Sequence, residues 1–193
     1  MAAFEVATSA DGTTWVGHHE CTTTDAAVTF GSTSTADEYI KQTYDHLYLV
    51  MSTRGDVASY FMDINLTVNG DTGTNYSGTG LYADQTAVPL AWRDTGYAFG
   101  NWGLDSCGAS MLADTFGTTK VWIPHYSNTT NFKQILASGA AQSYSIGQSQ
   151  WRLHVGANLW SDTPAAVTEI TLTPASGNFV EFSTFTLYGI TGA

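Results

Sequence analysis

The stretch over residues 59–71, SYFMDINLTVNGD, limits the fold more than any other part of the chain. Tyr60, Met62, Ile64, Leu66 and Val68 fall on one side, and Phe61, Asp63, Asn65 and Thr67 on the other. A period of two is what a strand with one buried face requires; a helix would scatter the same apolar residues around its surface. The stretch runs into Asn69-Gly70. Both residues tolerate positive φ, which makes the pair the strongest short hairpin signal, and it predicts a partner strand around residues 79–84.

The loop that follows, NGDTGTNY, also has the outline of a cation loop, because Asp71 and Asn75 offer oxygens on either side of Gly73. A calcium loop of the EF-hand kind needs more carboxylates and a closing Glu. Here Thr72, Thr74 and Ser77 fill those places, so the sequence favours a turn held by Asx-type side-chain bonds.

Further strand-like pieces follow. In YDHLYLVMSTRGD, Leu47, Leu49 and Met51 share one face while His46, Tyr48 and Val50 share the other, which predicts a strand covered on both sides. KVWIPHY, WRLHV, AVTEITLTP and STFTLYGI are shorter strands between Gly, Asn, Ser and Pro turns. With 43% hydrophobic and 12% charged residues, 19 Gly and 10 Tyr, the composition suits pleated surfaces and tight turns. The expected class is all-β, an antiparallel β-sandwich or barrel, with no helix beyond one turn in SMLAD. A chain of 193 residues supports one sizeable core. Residues 39–193 are expected to form that domain, and residues 1–38 an extended N-terminal arm or edge strands. FEVA, TTWVGHH and AAVTF are too short to bury themselves, so Phe4 and Trp15 are expected to touch other subunits, and removal of residues 1–38 is expected to leave a folded domain that assembles poorly.

The formal net charge is −11 with six Lys and Arg in all, which argues against nucleic acid and against an anionic membrane surface as partners. No run approaches the roughly 20 apolar residues of a membrane helix. The N-terminus lacks the basic and apolar regions of a signal peptide, so synthesis in a cytoplasm is expected. Cys21 and Cys107 lack metal-ligand spacing and read as two buried thiols.

No nucleophile elbow, H-E-x-x-H or P-loop occurs. His18 and His19 are neighbours on a strand and face opposite ways, so they cannot hold one ion together. No catalytic residue, metal or cofactor is expected. A carboxylate pair for glycoside hydrolysis is a matter of separation in space, which spacing along the chain does not give. Arg54-Gly55-Asp56 reads as a turn between strands. Residues 85–119 are Gly-rich and read as a long ordered excursion carrying Trp92, Tyr97, Phe99 and Trp102. Those aromatics have three readings: packing beneath the loop, subunit contacts, or a platform for sugar rings.

Taken in order, YDHLYL, VNGDTGTNYS, IPHYSNT, LWSDTPAAVTEITL and GNFVEFSTFTLYGI resemble a group of tailed-phage virion proteins of the cyanophage and marine-phage type. The closing S-x-F-x-L-Y-G-I is the most specific element, and the resemblance runs from about Tyr39 to Ile190. Val167 departs from the usual Ile, and the first 38 residues lie outside the matched region. The resemblance implies a jelly-roll type of sandwich and a non-enzymatic capsid cement or decoration protein on the virion surface. It implies a homotrimer whose partner is the major capsid protein. The alternative it implies is a tail or fibre domain that binds host surface glycans, with Trp92 to Trp102 around a groove.

Overall fold

The computed structural model describes residues 15–31, 40–84, 88–145 and 148–191. It is all-β: two antiparallel sheets pack face to face as a sandwich, and no helix occurs among the described residues. The large sheet has eight strands. These are β1 (Trp15–Glu20), β3 (His46–Thr53), β5 (Tyr76–Asp84), β6 (Leu90–Tyr97), β8 (Gly117–Pro124), β9 (Lys133–Ser145), β10 (Gln148–Trp160) and β12 (Thr184–Ile190). Their order across the sheet is β1-β12-β3-β8-β9-β10-β5-β6. The small sheet has four: β2 (Val28–Phe30), β4 (Phe61–Val68), β7 (Asp105–Cys107) and β11 (Ile170–Pro174), in the order β2-β11-β4-β7.

The core lies between the sheets. From the large sheet come Leu47, Leu49 and Met51 of β3, Val121 and Ile123 of β8, and Phe185 and Leu187 of β12. From the small sheet come Met62, Ile64, Leu66 and Val68 of β4, and Ile170 and Leu172 of β11. The period-two pattern that predicted β4 is therefore the pattern of one sheet's inner face.

Several expectations need correction. The strand after Asn69-Gly70 exists, as β5, but β4 does not pair with it: β4 lies between β11 and β7, and β5 between β10 and β6. The turn itself is as expected, with Asn69 at φ 53° and Gly70 at φ 68°, closed by Asp71 N–H donating to the Val68 carbonyl at 2.9 Å. The chain then crosses from one sheet to the other. Asn69 fixes this corner: its Oδ1 accepts from the Thr168 and Glu169 amides at 2.8 and 3.1 Å, and its Nδ2 donates to the Ala166 carbonyl at 2.8 Å. The Tyr76 hydroxyl accepts from the Val68 amide at 2.9 Å and donates to the Asp71 carbonyl at 3.2 Å, which ties the two sheets together.

β3 is covered on one side only, since Val50 is exposed and His46 and Tyr48 are half-buried. The excursion over residues 85–119 contains two strands, β6 and β7, and residues 110–114 make turns instead of a helical turn. β9 and β10 are the longest strands at 13 residues each, although β9 is rich in Gly, Ala and Ser, which have little intrinsic preference for strands. Pairing along its whole length with β10 outweighs that weakness.

Within residues 1–38, the described part is built into both sheets. β1 pairs with β12 along one edge of the large sheet and β2 pairs with β11 along one edge of the small one. Cys21, Val28 and Phe30 belong to the core, so removal of residues 1–38 would strip both sheets of buried side chains.

Candidate functional site

The site begins with a register. β4 and β7 pair so that Asp63 stands opposite Asp105. Like charges facing each other across antiparallel strands repel. Arg152, from β10, relieves this: its Nη1 donates to Asp63 Oδ1 and to Asp105 Oδ1, each at 3.0 Å. The same guanidinium lies over the Phe61 ring, 4.2 Å from its centroid, in cation–π contact. Two residues along β10, His154 shares the inward face of Arg152, and its Nδ1 lies 2.9 Å from Asp105 Oδ2. Both oxygens of Asp105, which is wholly buried, are thus taken.

The two carboxyls respond differently. Burial pushes Asp105 up, but the bond and charge of His154 and then Arg152 overcome it and hold the group below the usual carboxylate range. For Asp63, burial and then the charge of Asp105 push the group up, and Arg152 only partly offsets them. Nε2 of His154 is buried and has no partner, and neither has Nε of Arg152.

Around this cluster lies a cleft of about 360 Å³. Its aromatic lining is Tyr82 of β5, Trp92 and Tyr97 of β6, and Trp102. Its polar lining adds Asp94 and Asn101 to Asp63, Arg152 and His154. Trp102 is held in place by backbone and side chain together. Asn158, buried on β10, accepts from the Trp102 amide at 3.1 Å and donates to its carbonyl at 3.0 Å. The indole lies in a trough of glycines: a Cβ at Gly78, Gly80 or Gly156 would stand 2.3, 2.3 or 2.4 Å from a Trp102 atom. Its ring meets His154 edge-on at 5.4 Å between centroids. Trp92 is 52% exposed and Tyr97 40%.

Of the residues singled out from sequence, the structure brings Trp92, Tyr97 and Trp102 to one cleft. Phe99 packs edge-on against Tyr97, 5.8 Å between centroids. Trp15 begins β1, on the opposite edge of the large sheet from β6. Phe4 lies outside the described residues. Asp63, Asp105, Arg152 and His154 were not singled out. One local signal points to two of them: WRLHV is a strand, and its i, i+2 pair Arg152 and His154 therefore shares a face, one that is polar while Leu153 and Val155 occupy the other.

The loop over residues 69–76 binds inward. Asp71 Oδ2 accepts from Trp160 Nε1 at 2.6 Å and from Asn75 Nδ2 at 3.0 Å, and Oδ1 accepts from the Gly73 amide at 2.8 Å. Burial raises this carboxyl, but the three donors together hold it below its ordinary value. A carboxylate facing N–H groups is set up as an Asx turn, whereas a calcium loop needs oxygens converging on the ion. Arg54 of the RGD triplet donates to four carbonyls, those of Ala109, Met111, Leu112 and Thr115, and so pins residues 109–115; Asp56 accepts from Asn178. Cys21 and Cys107 are buried and unpaired, with burial the chief cause that pushes their thiols up to about 12 and about 11. His19, Cys21 and Asp25 bring ligand-type atoms within 4.8 Å of one another. The Asp25 carboxylate bonds His19 at 2.8 Å and also raises the thiol, so the trio is a hydrogen-bonded cluster around a protonated sulfur.

A second surface lies on the outer face of the large sheet. In one row across it, Tyr188, Tyr48, Trp122, Leu136 and Ala157 stand side by side in register. In the next, Val50, Lys120, Ser138, Val155 and Leu81 do the same. Leu136 is 53% exposed, Leu153 56% and Val155 45%. None of these residues is acidic, in a chain with 17 Asp and Glu.

No protein-family model matches the chain, and comparison with curated proteins and with solved structures found no match.

Proposed function

We propose that this protein is a non-enzymatic structural component of a tailed-phage virion, a decoration protein that binds the capsid surface as a trimer and stabilises the shell. In this reading its sandwich is of the jelly-roll type, its partners are the major capsid protein and further copies of itself, and it is made in the host cytoplasm. The observation that carries the proposal is the outer face of the large sheet. A row of aliphatic and aromatic side chains across five strands, free of acids and with Leu136 and, in the next row, Val155 half exposed, is an apolar surface suited to a protein contact. Burial against protein removes that surface from water.

The physics of cementing suits such a surface. A subunit that binds only the assembled shell stabilises it by mass action, and three copies joined about an axis combine weak contacts. The cleft fits a non-enzymatic role as well. Asp105 spends both oxygens on Arg152 and His154, so the carboxylate pair acts as an internal brace and leaves one half-exposed acid, Asp63, toward solvent.

Immunogold labelling of the virion tests the location. Label over the heads is the expected result. Label confined to tails would replace this reading with that of a host-recognition fibre domain. Sedimentation equilibrium of the purified chain is expected to give the mass of a trimer.

A further inference from the structure

We infer that the cleft between β5, β6 and β10 binds a neutral carbohydrate ring. This goes beyond the virion role and does not depend on it.

Four features converge. First, the cleft is concave, about 360 Å³, and within the range of small-ligand sites. Second, its aromatic surfaces are held open before any ligand arrives. Trp102 is clamped through its backbone by Asn158 and seated on Gly78, Gly80 and Gly156, so no rotamer search precedes binding. Trp92 and Tyr97 stand beside it half in water. The apolar C–H faces of a pyranose are the surfaces that cover such rings while its hydroxyls stay free for polar groups. Third, those polar groups are present: Asp94 and Asn101 line the same cleft beside the half-exposed Asp63. Carboxylates and amides accept and donate to hydroxyls in the patterns sugars offer.

The fourth feature is charge, which selects the class of sugar. Asp63, Asp94 and Asp105 face the single guanidinium of Arg152, and that guanidinium already bonds two of them. The cleft therefore has no free cation for a sulfate, phosphate or sialic carboxylate, and the chain carries a net −11 that repels them. A neutral hexose fits; an anionic one does not.

The test is a glycan array carrying neutral and sialylated oligosaccharides, probed with the full chain. The expected result is signal on neutral glycans, reduced at least tenfold by Trp92→Ala and by Tyr97→Ala. Both side chains are exposed enough for the fold to survive, which thermal melting of each variant checks. Glu181→Gln, exposed just before β12 and away from the cleft, is expected to leave the signal unchanged. Silence across the array, signal on sialylated glycans only, or binding that survives both aromatic substitutions would overturn the inference. Immunogold labelling reads the location separately, so failure of the array leaves the head assignment standing and failure of the head label leaves the cleft assignment standing.

Discussion

β4 and β10 are both antiparallel strands within a two-layer sandwich, yet they place their side chains oppositely. On β4, Met62, Ile64, Leu66 and Val68 point inward, with polar residues alternating between them. On β10, Arg152, His154 and Asn158 point inward while Leu153 and Val155 face solvent. The cause is the mismatch between sheets of eight and four strands. Where the small sheet covers the large one, the inner face is ordinary core. Over β10, Trp102 and the Asp63–Asp105 pair of β4 and β7 meet the large sheet, and the inner face becomes polar. The difference teaches that an inside-out strand marks a change of surroundings: its buried polar groups brace a cleft, and its apolar groups face outward.

Breaking the brace has the largest expected effect. Asp105→Ala leaves Arg152 with only the half-exposed Asp63 and His154 with no partner at Nδ1. Removal of one member of a buried ion pair costs roughly 3–5 kcal/mol, read as a lower urea midpoint at pH 7. A change below 1 kcal/mol would mean that water already satisfies these groups and that β10 is not braced there.

The next effect is one of pH. The Asp105 carboxyl is held below its ordinary 3.8, so between the two values the unfolded chain binds more protons than the folded one. Its contribution to stability is present above about 3.8 and is lost as pH falls through the lower folded value. Asp63 has the opposite sign. Its folded value is raised, so its contribution is present below 3.8 and is lost as pH rises through the raised value. Stability curves against pH for the parent, Asp105→Asn and Asp63→Asn separate the two. Asp105→Asn should flatten the loss below 3.8, and Asp63→Asn should remove the loss above 3.8. Identical curves for all three would show that the pair does not sense its own charge.

How much of this was legible in the sequence depends on the range of the interactions. β4 and the inner face of β3 were legible, because alternation is a local property and one-sided burial enforces it. The Asn69-Gly70 turn was legible for the same reason, since φ preference belongs to the residue. Its partner strand was not: whether a chain turns back or crosses to the facing sheet is decided by Asn69 bonding residues 166–169, about a hundred positions away. The cleft's aromatics were visible as a cluster in sequence. The brace was not, because Asp105 reaches Arg152 and His154 across 47 and 49 residues. β9 was hidden by its small residues, which the core needs because Gly139 lies close beneath Thr119 and Asp105.

A smaller effect sharpens the role of the glycine trough. A Cβ at Gly80 would stand 2.3 Å from Trp102 Cε3 and 3.0 Å from His154 Nε2. Gly80→Ala therefore lifts the indole off β5 at a cost of roughly 1–3 kcal/mol. Trp fluorescence should shift toward the emission of a water-exposed indole. An unchanged spectrum and an unchanged midpoint would show that the trough does not hold the ring.

The outward face of β10 should give the smallest effect on folding and the largest on assembly. Leu136→Glu with Val155→Glu places two charges in adjoining rows of the apolar face, on side chains that are 53% and 45% exposed. A surface substitution of that kind changes monomer stability by about 0.5 kcal/mol or less. If the face is buried between subunits or against the shell, each charge is instead desolvated without a partner, and association weakens steeply. The double variant should therefore melt like the parent when dilute yet sediment as a monomer. A trimer that survives both charges would place the subunit contact elsewhere than on the apolar rows of β8, β9 and β10.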